Sequence, residues 1–195
     1  MRVSFDPPPR FAAWHHREAR SGFEVVFLRP EGEGLHIEGD TAAVEDGEAW
    51  AVHYAITLDR DWVTRSARVW SLAGTGAQEL SLESVGAGRW LVDGEPAPHL
   101  DGCPDVDLES SSLTNAFPVH HLGLDIGQHA EAPAAYVRAL DLSVERLEQG
   151  YRRLNDDGAR QRYHYTSPAF DFECELSYDE SGLVLDYPGI AVRAA

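Results

Sequence analysis

The feature that most constrains the fold is an alternation of apolar and polar residues with a period of two. Over residues 170–178 every second side chain is apolar, and the positions between them are acidic or hydroxylic. Residues 50–58 alternate in a similar way, with Trp50, Val52 and Tyr54 on one face. Successive side chains of a β-strand point to opposite faces, so this period predicts strands rather than helices. One apolar and one polar face are typical of antiparallel sheets.

Further strand candidates are separated by short clusters of Gly, Asp, Asn and Glu. These strand candidates cover residues 24–29, 35–38, 64–72, 79–85, 89–93, 119–124, 160–166 and 183–192. The last of them follows a turn at 179–182, which predicts a hairpin with the strand at 170–178. Residues 132–154 fit both periods, so helix and strand both stay open there, with a strand favoured from residue 142 and a short helix as the alternative before it. We therefore predict one mainly β domain over residues 1–195, with an irregular segment over residues 1–20.

Charge and composition exclude several classes of function. The net charge is −17, from 33 acidic and 16 basic residues, and every basic residue is Arg. Such a field repels phosphate backbones, so nucleic acid is not an expected partner. The absence of Lys excludes a P-loop and Schiff-base chemistry.

The two thiols and the apolar runs predict a cytoplasmic protein without a membrane segment. Cys103 and Cys174 are the only cysteines, there is no CxxC motif, and we expect both to be reduced. No apolar run approaches the ~20 residues that a membrane span needs. The first residues lack the continuous apolar core of a secretory signal. The sequence predicts no particular oligomeric state.

Residues 88–122 carry the densest group of candidate functional side chains. Prolines and glycines punctuate this segment and fix its backbone. The shape so fixed presents chemically varied side chains, namely Trp90, Asp93, Asp101, Cys103, Asp105, Asp107, Thr114 and Asn115.

These and neighbouring residues suggest several kinds of site. On the predicted strand at 64–72, Arg65 and Arg68 occupy opposite faces among apolar neighbours, so each needs an acidic partner or an anionic ligand group. The adjacent His120 and His121 would also face opposite ways on a strand. Asp101, Asp105 and Asp107 could suit a hard cation, but the run DVDLE over residues 105–109 lacks the glycine of a calcium-binding loop, and Asp is a common turn residue. The hydrolase, zincin and dinucleotide signatures are absent. We therefore predict no metal and no cofactor, and we favour binding over catalysis.

Four motifs resemble a bacterial family known as "putative glycolipid-binding" proteins. They are DRDWVTRSARVW, GRWLVDG, LDGCPDVDLESSSLTNAFPVHHL and GLVLDYPGIAVR, and the likeness spans about residues 20–193. The resemblance implies long, strongly bent antiparallel strands that form a half-barrel, similar to lipoprotein-localisation factors. It also implies that the concave face of the sheet accepts an acyl chain.

The resemblance and the residues together give one set of predicted ligand-binding positions. This set is Arg65, Arg68, Trp90, Asp93, Asp101, Cys103, Asp107, Thr114, Asn115, His120, Tyr187 and Arg193. The chain departs from the family pattern at two places, Ser111-Ser112 and His120-His121. At the second of them the family pattern has an Arg pair. An imidazole there would carry charge only near or below pH ~6.5.

Three hypotheses of function follow. The leading one is non-catalytic binding of a small amphiphilic ligand, a glycolipid or fatty-acid-like molecule, with Arg65, Asp93, Thr114 and Asn115 at its polar end. The second is a hydrolase or isomerase acting on a lipid or sugar conjugate, with Asp101 or Asp107 as base. The third is a structural module that binds no ligand.

Overall fold

The computed structural model describes residues 5–195 and shows a mainly β protein. Within those residues there is one α-helix, α1 (Ala116–Leu122), and three short 3₁₀ helices lie at Pro98–Leu100, Leu113–Asn115 and Pro168–Phe170. The strands are β1 (Phe11–His16), β2 (Ser21–Glu31), β3 (Gly34–Glu45), β4 (Glu48–Leu58), β5 (Thr64–Ala73), β6 (Gly76–Gly86), β7 (Arg89–Val92), β8 (Glu95–Pro96), β9 (Asp105–Leu108), β10 (His129–Glu131), β11 (Ala134–Val137), β12 (Val144–Leu147), β13 (Gly150–Arg153), β14 (Gln161–Ser167), β15 (Phe172–Tyr178), β16 (Val184–Tyr187) and β17 (Ala191–Arg193).

Fourteen strands form one large antiparallel sheet. Its order is β10-β13-β14-β15-β16-β17-β1-β2-β3-β4-β5-β6-β7-β8. The strand β17 at the end of the chain pairs with β1 near its start, and Arg193 lies opposite Trp14. Strands β10 and β8 are the two edges, so the sheet stays open within the described residues. The predicted class, a mainly β domain of long antiparallel strands in an open half-barrel, is confirmed.

The long strands β2–β6 place their alternating apolar residues on one face. Leu28, Ile37, Ile56, Ala67 and Leu82 are direct cross-strand neighbours on five successive strands, and all are buried. Each large aliphatic side chain in such a row contributes up to roughly 1.5–3 kcal/mol by burial. We call this buried side the inner face of the sheet.

The segment between β8 and β13 covers the inner face. It contains a second sheet of three strands, in which β11 pairs in parallel with β9 and antiparallel with β12. Three buried hydroxyls of the large sheet fasten this inner segment. Thr41 donates to the Ser110 carbonyl (2.9 Å), Ser71 donates to the Ala139 carbonyl (2.6 Å), and Thr64 accepts from the Val106 amide (3.2 Å). They satisfy backbone groups that burial would otherwise leave unpaired.

The prediction of a strand at 119–124 is wrong, because α1 occupies this region. Pro118 lies in the first turn, where its missing N–H removes no intrahelical bond. Gly123 then ends the helix with a left-handed backbone at φ 53°. The helix sends His120 and His121 to different neighbours, as described below.

Three other local predictions also need correction. The region 132–154 contains no helix but holds β11, β12 and β13, and a turn with Leu142 at φ 52° precedes β12. The single strand predicted at 183–192 is divided into β16 and β17, with Gly189 at φ 77° between them. Within the segment predicted to be irregular, residues 1–4 lie outside the described residues and 11–16 form β1.

Both thiols are free, as predicted, although Cys174 is only partly buried. Helix α1 has seven residues, and no helix of the described residues has the length and apolar character to cross a bilayer.

Candidate binding cleft

A cleft of about 230 Å³ lies where the inner segment meets the last strands of the large sheet. Residues 107–112 and Asn115 of the inner segment line it together with aromatic residues of β14, β15 and β16. The end of β1 adds His16, and the connection from β1 to β2 adds Ala19 and Arg20. Three parts of the chain that are distant in sequence therefore build one concave surface.

Packed aromatic rings form part of the lining. The ring centroids of Tyr165, Phe172 and Tyr187 lie 6.0–6.3 Å apart in all three combinations, with tilted or edge-on planes. Burial raises the pKa of Tyr165 and Tyr187 above the usual value, so both hydroxyls stay protonated. Aromatic groups of this kind offer apolar surface together with a hydroxyl.

Two polar side chains of the inner segment are held firmly at the cleft. The buried Asp107 carboxylate accepts hydrogen bonds from the Thr114 hydroxyl (2.7 Å) and from the Gln149 amide. Asn115 accepts the Tyr151 hydroxyl at its side chain (2.9 Å) and the Tyr178 hydroxyl at its carbonyl (3.0 Å). Burial raises the pKa of Asp107, and the two donors oppose that rise.

A buried carboxylate positions the loop at 110–112. Glu24 of β2 is fully buried and accepts hydrogen bonds from the Tyr54 hydroxyl (2.6 Å), the Ser111 hydroxyl and the Ser112 amide (2.8 Å). Burial raises the pKa of Glu24, and these donors lower it. The Tyr54 side chain packs over Gly39 of β3, where a Cβ would lie only 2.2 Å from the tyrosine ring. Glycine is therefore required there for the tyrosine to reach the carboxylate.

Arg20 is the basic residue of the cleft lining. Its Nη1 donates to the Glu109 carbonyl (2.9 Å), and its Nε lies 3.6 Å from the Glu45 carboxylate. The guanidinium also sits 5.3 Å from the ring centroid of Trp50. Burial, with a smaller effect of Arg20, lowers the pKa of His16 to about 4, so this ring is neutral at pH 7.

Four buried polar atoms of the lining have no hydrogen-bond partner among residues 5–195, although one of them, Nε of Arg20, faces the Glu45 carboxylate at 3.6 Å. The other three are Nδ1 of His16, Oγ of Ser112 and Oγ of Ser167. Ser112 is 2% exposed and Arg20 is 9% exposed. Since buried polar groups are normally hydrogen-bonded, such a concentration in one cleft makes it the candidate site of the described residues.

Of the twelve predicted site residues, three line this cleft. They are Asp107, Asn115 and Tyr187, and Thr114 lies directly behind them on Asp107. Arg193 lies elsewhere, 5.0 Å from the Trp14 ring centroid and 3.5 Å from Asp179.

The arginines of β5 lie on the outer face of the large sheet. The expectation that they face opposite ways is wrong, because the pairing of β5 with β4 skips Arg65 in a β-bulge and both side chains are exposed. Arg65 forms an ion pair with Asp59 (2.6 Å).

The other predicted residues have structural surroundings. Trp90 is buried and donates to the Cys103 carbonyl (2.9 Å), and burial raises the pKa of the Cys103 thiol to about 11. Asp93 is exposed in a turn and accepts from Ser81, whereas Asp101 is exposed and its carbonyl accepts from Arg146.

The two adjacent histidines also have separate roles. His120 stacks on Trp62 with ring centroids 3.4 Å apart, and burial lowers its pKa to about 3. His121 lies 2.6 Å from the buried Asp105 carboxylate. A binding role for the residues outside the cleft stays a prediction.

Sequence reasoning missed several residues of the cleft. Arg20 and His16 carried no local signal, because the groups they approach are distant in sequence. Tyr165 and Phe172 are visible in the sequence only as apolar-face residues of alternating runs, a pattern that core residues share. The tyrosine-rich pattern of two neighbouring predicted strands was the available signal for an aromatic wall.

Comparison with known proteins gives a consistent result. The family model described as "Putative glycolipid-binding" matches residues 11–193. A DUF1089 family protein from Pseudomonas aeruginosa is 36% identical and has a TM-score of 0.72, with 86% of this chain and 90% of that chain covered. No curated protein matches the chain.

A second solved structure shares the fold at much lower identity. It is a beta-barrel-like protein of domain of unknown function DUF1849 from Brucella abortus, 11% identical with a TM-score of 0.53 over 97% of this chain and 96% of that chain. The resemblance seen in the sequence motifs is confirmed by the family match, which covers nearly the whole sequence. The chain belongs to the family described as "Putative glycolipid-binding".

Proposed function

We propose that the protein binds an amphiphilic ligand of the glycolipid class without turnover, and that the cleft holds the polar end of this ligand. Family membership supports a binding role in general and a lipid-like ligand. The observation that carries the proposal is the composition of the cleft. Packed aromatic rings lie beside buried polar atoms that have no partner within residues 5–195.

A sugar headgroup matches both parts of this lining. Its hydroxyls donate and accept hydrogen bonds, so they suit the Asp107 carboxylate as well as the Arg20 guanidinium and the Ser112 hydroxyl. Its C–H face packs on aromatic rings such as Tyr165 and Tyr187. Orientation by a few polar groups in an otherwise apolar lining is typical of small-molecule sites.

We propose that the acyl chain of the ligand lies outside the core of the protein. The inner face of the large sheet is covered by the inner segment, whose Leu100, Val106 and Phe117 are fully buried in the same core cluster as the sheet residues. The tail therefore leaves through the mouth of the cleft, where Phe170 is 46% exposed. The sequence-based hypothesis placed the tail along the strand faces instead.

Mass spectrometry of lipids that co-purify with the protein tests this proposal. Wild type is expected to carry an extractable glycolipid, and Asp107→Asn and Tyr187→Phe are expected to carry less. Arg68→Gln, an exposed change on the outer face, is the control and is expected to match wild type. Loss in Arg68→Gln but not in Asp107→Asn would instead place the ligand on the outer face. Failure to find lipid in any preparation, together with no binding across several lipid classes, contradicts the proposal.

The position and raised pKa of Asp107 favour one second candidate, a hydrolase or isomerase of a lipid or sugar conjugate with Asp107 as base. That function predicts turnover that disappears in Asp107→Asn while ligand binding survives. A third outcome, lower stability of Asp107→Asn and Cys103→Ala with no binding in any variant, would support the structural module.

A further inference from the structure

We infer that the cleft recognises a single sugar ring without negative charge, a hexosyl or aminohexosyl headgroup, and rejects phosphorylated, sulfated and uronic headgroups. This inference rests on the proposed function and defines the class of ligand at the same site. It comes from the charges, the free hydrogen-bonding atoms and the size of the cleft.

The charges of the lining oppose an anion. Three carboxylates, Glu45, Asp107 and Glu109, line the cleft with one guanidinium, that of Arg20. Glu45 lies beside Arg20, and Glu109 pairs from behind with Arg138 (3.0 Å). Asp107 has only the neutral donors Thr114 and Gln149. An anionic headgroup would therefore bring a second negative charge close to a buried carboxylate that has no cation of its own.

Arg20 is poorly suited to compensate such an anion. One of its nitrogens already donates to the Glu109 carbonyl, and its guanidinium stands over Trp50 and near Glu45. Its Nε is buried and lies 3.6 Å from the Glu45 carboxylate, so this carboxylate already offsets the charge of the guanidinium. An anionic headgroup would have to compete with Glu45 for the same guanidinium.

The remaining free atoms are neutral and suit hydroxyl groups. Ser112 Oγ can donate or accept, and the neutral His16 ring does either at Nδ1 according to its tautomer. The cleft volume of about 230 Å³ is below the ~300–1,000 Å³ of sites for drug-sized ligands. One ring, rather than an oligosaccharide, matches this size.

The test uses pairs of soluble ligands in which a phosphate group adds negative charge to the same sugar ring. Octyl glucoside, galactoside and mannoside are each compared with their 6-phosphates by isothermal titration calorimetry below the micelle concentration. The neutral member of at least one pair is expected to bind at least about tenfold more tightly than its phosphate. Equal or tighter binding of every phosphate overturns the inference, as does binding of none of the six compounds.

A matched pair of variants identifies the source of the discrimination. Glu45→Gln removes the carboxylate beside Arg20. The ratio of the affinity for the neutral ligand to that for its phosphate is expected to fall severalfold in this variant. Glu48→Gln is the control, because Glu48 is exposed directly opposite Glu45 in the same hairpin but does not line the cleft. Equal effects of the two variants would show a long-range charge effect and contradict the assignment to the cleft.

The result also separates this inference from the proposed function. If co-purifying lipid is found but the octyl phosphates bind best, the proposed function stands and the inferred headgroup is wrong. If no lipid co-purifies and no amphiphile binds, both fail.

Discussion

The protein has two core clusters built from different side chains. Beneath β2–β6 the cluster is mainly aliphatic, with the cross-strand row from Leu28 to Leu82 at its centre. Beneath β13–β15 the cluster contains Tyr151, Tyr163, Tyr165 and Tyr178, whose neighbouring ring centroids lie 5.2–6.5 Å apart. We call these the aliphatic cluster and the tyrosine cluster.

The two regions therefore contribute differently to stability and to ligand binding. Aliphatic side chains need no hydrogen-bond partners, so the first region stabilises the fold mainly through burial and packing. Tyrosine hydroxyls need partners when buried, and two of them hold Asn115 at the cleft. We therefore expect changes in the aliphatic cluster to alter stability, and changes in the tyrosine cluster to alter ligand binding at a smaller cost in stability.

The largest expected effect is that of Ile56→Ala in the aliphatic cluster. Ile56 is fully buried, so the truncation leaves a cavity and lowers the free energy of unfolding by roughly 2–5 kcal/mol. Urea denaturation followed by tryptophan fluorescence measures this loss. Thr57→Ala, on the outer face of the same strand, is the control and should cost far less. Similar losses in the two variants would contradict the assignment of stability to the inner face.

Much of the aliphatic cluster was predictable from the sequence. A period of two identifies strands and their buried face without any knowledge of the partner strands, because alternation is a property of the strand itself. The local exceptions were not predictable. The strand predicted at 119–124 is an example, because residues 119–122 belong to α1, which begins before Pro118 and ends at Gly123.

The cleft was predictable only in part, for a related reason. Asp107 and Asn115 stand in one segment with a marked composition, so sequence alone identified them. Arg20 was missed because the Glu109 carbonyl that it contacts lies 89 residues away. Arg65 was placed among apolar neighbours because a bulge, which shifts one residue to the other face, leaves no local signal.

The second prediction concerns the pH dependence of stability. It rests on His120, which lies between the two clusters. Burial lowers its pKa to about 3 in the folded protein. Between pH 6.5 and about 3 the unfolded chain therefore binds more protons than the folded chain, and this residue lowers stability as the pH falls. His120→Phe keeps an aromatic ring against Trp62 and removes this titration. Its loss of stability between pH 7 and pH 5 should be smaller than that of wild type by roughly 1–2 kcal/mol. Parallel stability curves for the two proteins would contradict the prediction.

The third prediction tests the tyrosine cluster directly. Tyr178→Phe removes the hydroxyl that holds the Asn115 carbonyl, at an expected cost of about 0.5–1.5 kcal/mol in unfolding free energy. Ligand affinity should fall severalfold, because Asn115 loses one of its two supports. Tyr163→Phe is the matched control, since its hydroxyl donates to the Gln161 side chain (3.1 Å) and not to Asn115. A similar loss of affinity in both variants would show that the cluster acts through general packing.

The smallest expected effect is that of Arg65→Ala on the outer face. Arg65 is half exposed, and its partner Asp59 also accepts hydrogen bonds from the amides of Asp61 (2.9 Å) and Val63 (3.0 Å). Removing the guanidinium therefore leaves the carboxylate in place, and an exposed ion pair contributes at most about 1 kcal/mol. Urea denaturation at low and high salt should show a small loss that shrinks as salt screens the pair. Ligand affinity should not change, although Arg65 was a predicted binding residue. An affinity loss as large as that of Asp107→Asn would move the polar end of the ligand to the outer face and remove the division of tasks between the two clusters.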